Sequence, residues 1–195
     1  MKKYIFGFIV ATMSLSMQAK NVEIISPNGD FRMLLSDEEG ALTYSLKWNG
    51  NVMVESSRLG IKANSDWKDG LEIEGVSTEK HDSIWHPVYG ERGTIKDIYD
   101  GWSVAVKKEG LRDKLIIDIR AYNEGIAFRY RFLGGQYLKI VEEYTEYAMP
   151  EGTKAYFTQR AQTPYQYLSL ENWPDECERP LLLSLRNGKY ACLAE

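Results

Sequence analysis

Large apolar residues fall on every second position in Phe31, Met33, Leu35 and again in Leu42, Tyr44, Leu46, Trp48. Successive side chains of a strand point to opposite faces, so a period of two marks half-buried β-strands. Asn49-Gly50 follows, and Val52 and Val54 then resume the alternation. That pair is favoured where both central turn residues need positive φ, so a tight hairpin is predicted. The same grammar returns in Leu115, Ile117, Ile119, Ala121, then Asn123-Glu124-Gly125, then Ile126, Phe128, Tyr130, Phe132. In this second hairpin Gly125 is expected to permit the turn and Ile126, Phe128 and Tyr130 to pack the core. Arg120, Arg129 and Arg131 fall on the opposite face, where they are expected to neutralise carboxylates. Shorter strands are predicted at 22–25, 102–107, 137–147, 154–158, 181–185 and 189–194. Helical spacing is met only near 94–99 and 163–172. Many short strands separated by Gly, Asn and Pro turns predict an all-β sandwich of antiparallel sheets.

The amino terminus sets the compartment. Lys2 and Lys3 precede an apolar run over residues 4–11 and then small residues ending at Ala19. This is the pattern of a signal peptide over 1–19. Thr12, Ser14, Ser16 and Gln18 dilute the run well short of the roughly 20 apolar residues that a membrane span needs. Cleavage after Ala19 is expected, with a cut after Ser16 as the alternative because Met17 is large for its position. No Cys near either cut marks a lipid anchor, so a periplasmic or secreted protein without membrane attachment is expected. Residues 20–195 then suffice for one domain with one core. The net charge of −4 becomes two units more negative once Lys2 and Lys3 leave. With no basic block, this argues against nucleic acid and anionic membrane surfaces as partners. Residues 189–195 read as a strand that stops without turn or cap, an expectation that the chain continues in the intact protein.

Cys177 and Cys192 lie in a compartment that permits a disulfide, and the sequence leaves a bridge and two free thiols both open. His81 and His86 show no spacing with them that suits zinc. The acidic groups Glu142-Glu143 and Asp175-Glu176-Glu178 read as solvated faces rather than a catalytic pair.

Three stretches carry a resemblance: Ser26-Pro27-Asn28-Gly29 opening a strand, WHPVYGE at 85–91, and RAYNEGIAFRY from Arg120 to Tyr130. With Tyr44-Ser45, Ser57-Arg58-Leu59-Gly60 and the terminal segment 180–195 in the same order, they resemble the amino-terminal domain of glycoside hydrolase family 97. The resemblance implies an antiparallel β-supersandwich of the galactose-mutarotase-like type, joined to a catalytic (β/α)8 barrel that this chain lacks. It implies hydrolysis of α-linked oligosaccharides by an α-glucosidase or α-galactosidase, with both catalytic carboxylates on the barrel. It also implies that Glu195, in YACLAE, reaches the barrel and helps to hold calcium, an ion that favours carboxylate oxygens. His86 departs from the family motif and receives no chemistry. Within WHPVYGE, Pro87 keeps His86 extended and Trp85 and Tyr89 supply apolar surface, so a fold-stabilising loop is expected.

Two other functions fit parts of the pattern. A stand-alone carbohydrate-binding module would use Trp67, Trp85, Trp102 and Trp173 as sugar platforms, although aromatic rings also dominate cores. A sugar epimerase would need a histidine and a carboxylate facing one sugar, and fold kinship alone does not supply them.

Overall fold

The computed structural model describes residues 19–134, 137–173 and 176–194. The first four strands, β1 (Asn21–Ile25), β2 (Phe31–Ser36), β3 (Thr43–Trp48) and β4 (Asn51–Arg58), form one sheet in chain order. The turn between β3 and β4 has Asn49 at φ 48° and Gly50 at φ 77°, as the Asn-Gly pair predicts. Short strands β5 (Ile61–Lys62) and β6 (Asp66–Trp67) lead to the longest elements, β7 (Leu71–Trp85) and β8 (Ile95–Lys108). With β9 (Leu115–Ala121) and β10 (Ile126–Phe132) these make a second sheet, ordered β10-β9-β8-β7. β11 (Glu142–Glu143) pairs with β5. β12 (Lys154–Phe157), β13 (Gln166–Ser169), β14 (Leu181–Ser184) and β15 (Tyr190–Leu193) form a further sheet, ordered β13-β12-β14-β15. Every pairing is antiparallel, so the all-β expectation holds.

The alternation seen in the sequence builds the main core. Met33, Leu35 and Tyr44 from the first sheet meet Val104, Val106, Leu115, Ile117 and Ile119 from the second, and Ile126, Phe128 and Tyr130 pack against them. A smaller cluster gathers Met53, Ala155, Phe157 and Leu183. Buried polar groups are satisfied across the sheets. The Tyr44 hydroxyl donates to the Glu146 carbonyl at 2.8 Å. The Gly60 amide donates to the Tyr130 hydroxyl at 2.9 Å, and burial pushes that phenol up to about 12.

Four local expectations are corrected. Residues 94–99 are not helical but begin β8, and 163–172 hold β13 and a single 3-10 turn, Leu170–Asn172. β7 went unpredicted because beyond Ile73 its residues are mostly exposed on both faces, which erases the apolar period. The strand expected over 137–147 shrinks to Glu142–Glu143, after which the chain follows β4 through single bonds such as Glu146 N to the Arg58 carbonyl at 2.9 Å. Gly125 takes no left-handed φ and faces open space, so a glycine is not what this turn requires.

Candidate functional site

The second sheet turns one face to the core and the other outward. Register puts Ser77, Ser103, Asp118 and Arg129 in one outward row, Glu79, Gly101, Arg120 and Ala127 in the next, and His81 and Tyr99 beyond. Side chains directly opposite one another on a sheet interact, and here the Asp118 row and the His81–Tyr99 pair are tied laterally. Arg131 donates to Asp118 through Nε at 2.7 Å and through Nη2 at 2.9 Å, and Arg129 adds its Nε at 3.2 Å. Ser103 also donates to Asp118, at 2.8 Å. Hydrogen bonds from Arg131 above all, then from Ser103 and Arg129, outweigh desolvation and hold the Asp118 carboxyl well below the usual range. The sequence suggested that all three arginines neutralise carboxylates, and Arg129 and Arg131 do so on Asp118.

Arg120 is used differently. Its guanidinium lies 4.4 Å from the centre of the Tyr99 ring and donates to the Tyr122 hydroxyl at 3.4 Å. His81 stacks on the same ring at 4.7 Å, and its Nε2 sits 2.8 Å from Ser83 Oγ and 3.4 Å from an Asp97 oxygen. Tyr122 donates to Asp97 at 3.1 Å, and Tyr99 donates to Glu79 at 3.3 Å. Tyr99 is 4% exposed although it stands on the outward face, because these neighbours cover it. A trough of about 540 Å³ lies along the rows of Glu79 and Ser77. Glu79, His81, Asp97 and Tyr99 were not singled out together from the sequence. Their signal was the β-branched and aromatic content of 76–99, which marks strands even where alternation fails.

The other expected positions are scattered. Trp67 is in the core at 1% exposure, Trp173 packs on Phe157 at 4.6 Å, and Trp102 lies against the main core. Trp85 alone of the four proposed platform rings is exposed, at 49%. The four-tryptophan platform is thus not formed. WHPVYGE joins β7 to β8, with Val88 100% and Tyr89 90% exposed, so the loop does not stabilise the fold by packing. The His86 Nδ1 sits 2.9 Å from the Gly93 carbonyl within that loop. Cys177 and Cys192 are free thiols. Glu142 and Glu143 are exposed, Glu176 pairs with Arg160 at 3.5 Å, and Asp175 lies outside the described residues. Glu195 also lies outside them, as do residues 1–18 of the expected signal peptide. Among the described residues no group of three or more His, Cys, Asp or Glu is placed to hold a metal, and no helix is long and apolar enough to cross a membrane.

Comparison with known families decides the kinship. The family model described as the glycosyl-hydrolase 97 N-terminal domain matches residues 24–195. The chain belongs to this family. Its antiparallel β-fold is that of a family 97 amino-terminal domain. A retaining α-galactosidase of Bacteroides thetaiotaomicron is 25% identical over 158 residues, which is 80% of this chain and 23% of that protein. A family 97 enzyme of Pseudoalteromonas sp. strain K8, solved with panose, shares the fold with a TM-score of 0.78 at 21% identity, covering 87% of this chain and 27% of that one. A β-arabinopyranosidase matches with a TM-score of 0.79 at 20% identity, covering 89% of this chain and 31% of that one. The chain thus spans about a quarter to a third of the relatives it matches.

Proposed function

We propose that this chain is the amino-terminal domain of a periplasmic or secreted α-glycosidase, in which it supports a (β/α)8 barrel and brings Glu195 to a calcium ion beside the catalytic acid. The observation that carries this reading is a family match that runs unbroken to residue 195, over a chain that spans only 23% of a retaining α-galactosidase. The panose complex of a family 97 enzyme supports α-linked oligosaccharides as the substrate class. The last described strand, Tyr190–Leu193, pairs along Leu181–Ser184 and precedes Glu195 by two residues in the sequence.

In this reading Glu195 is one ligand of a site completed elsewhere. Calcium takes about six to eight oxygens, and one carboxylate offers at most two. No cluster among the described residues adds the rest. The remaining ligands belong to the barrel in this reading, and the bound ion would favour negative charge developing on the leaving-group oxygen. The contribution of Glu195 is a fixed negative charge at a domain boundary. In the full-length enzyme, Glu195→Gln keeps one oxygen and loses that charge, so half-maximal turnover should need at least tenfold more calcium. Superimposable calcium titrations for the two proteins would reject the role.

A further inference from the structure

We propose that the outward trough of the β7–β10 sheet is a saccharide-binding site in its own right, separate from the boundary at Glu195. The choice of ligand class rests on the proposed glycosidase function, whereas the site itself rests on four observations. First, its volume of about 540 Å³ falls within the 300–1,000 Å³ typical of small-ligand sites. Second, its floor is kept low by Ser77, Gly101 and Ala127, and a Cβ on Gly101 would come within 2.8 Å of the Glu79 side chain and 3.2 Å of the Tyr99 ring. The glycine leaves room for the Glu79 side chain and the Tyr99 ring to lie across the strand, with Arg120 against the far side of that ring.

Third, the Glu79 and Arg120 walls are chemically opposite. A carboxylate only accepts hydrogen bonds and a guanidinium only donates them. Adjacent hydroxyls of a sugar satisfy both, one donating to Glu79 while its neighbour accepts from Arg120. A simple anion would be repelled by Glu79, and a simple cation by Arg120. Both walls are already held: Glu79 by the Tyr99 hydroxyl at 3.3 Å and Arg120 against the Tyr99 ring at 4.4 Å. Side chains fixed before binding lose less rotamer freedom on binding. Arg129 spends only its Nε on Asp118 among the contacts of described residues, and its side chain is 70% exposed.

Fourth, Trp85 stands on the same outward face, because register pairs it with Ile95 as it pairs His81 with Tyr99 and Glu79 with Gly101. Its ring is 49% exposed. Six residues separate it from Glu79, about 20 Å at the rise of a strand. Such a reach suits an oligosaccharide, with an apolar sugar face on the indole and hydroxyls on the charged walls.

The test is calorimetric titration of the chain with maltotriose and with melibiose, an α-glucoside and an α-galactoside, and with inorganic phosphate as the probe for a plain anion site. At least one sugar should bind with Kd on the order of 1 mM. Arg120→Ala and Glu79→Gln should each weaken it at least tenfold. Ala127→Phe, which fills an exposed floor position and removes no polar contact, should abolish it with an unchanged circular dichroism spectrum. Binding of phosphate with neither sugar bound, binding of nothing, or sugar binding that survives all three variants would each overturn the site. Glu195 is untouched throughout, so failure here leaves the calcium role standing, and failure of the calcium titration leaves this site standing.

Discussion

At the scale of single residues, the fold depends on a few positions where no other group fits. Gly60 is one: a Cβ there would lie 2.6 Å from the Trp67 carbonyl oxygen, and backbone cannot step aside. Gly60→Ala should cost about 1–3 kcal/mol, the usual range for overpacking, read as a lower urea midpoint with unchanged slope. Gly125→Ala is the control. With open space and no left-handed φ at that position, it should leave stability unchanged or slightly raised, because it narrows the unfolded ensemble. Asp118 carries a pH signature of known sign. Its folded carboxyl titrates below the usual range, so its contribution is fully present above the ordinary carboxylate value of about 4 and fades as pH falls through and below it. Asp118→Asn should therefore be less stable than wild type at neutral pH, by about 1.5 kcal/mol for its charged hydrogen bonds. Thermal melts of the two proteins should converge as pH drops from 4 towards 2.

At the scale of elements, the hairpins that face the core on one side announce themselves. Asn49 and Gly50 both occupy left-handed backbone, so Gly50→Val should cost about 1–2 kcal/mol, measurable by chemical denaturation, while the register of β3 and β4 persists. The β3–β4 and β9–β10 hairpins were legible because a buried face imposes a period of two on their residues. β7 was not, since Val76 is 44% exposed and Ile84 58%, and polar residues fill both faces between them. Without that strand the outward rows could not be assembled from sequence. Arg120, Arg129 and Arg131 were visible as a face, but nothing showed that Glu79 and Gly101 lie across from Arg120. Trp85 shows the converse: an aromatic ring suggests packing, yet its place past the core leaves it in solvent. Trp85→Ala should accordingly change stability by less than about 0.5 kcal/mol.

At the scale of the whole molecule, the described residues form a scaffold of antiparallel sheets, and in the proposed division of labour the catalytic carboxylates belong to the barrel. The chain alone is expected to release no nitrophenol from nitrophenyl α-glucosides or α-galactosides, and measurable release above the buffer blank would contradict the proposed division of labour. Family kinship was legible from ordered short motifs, and the match over 24–195 agrees with them. The proposed metal role came only from the resemblance, because one carboxylate does not by itself define a calcium site. The exposed junction of β7 and β8 has a consequence for how this protein can be altered. Residues 86–94 join two strands whose register is already fixed from Leu71 to Trp85, so the junction closes the hairpin without specifying it. Closure entropy grows only logarithmically, and doubling such a loop costs about 0.6 kcal/mol. A flexible peptide tag or a small reporter domain spliced between Tyr89 and Gly90 should therefore leave the melting temperature within a few degrees of the parent. The tip offers a handle for labelling the molecule from outside its sheets.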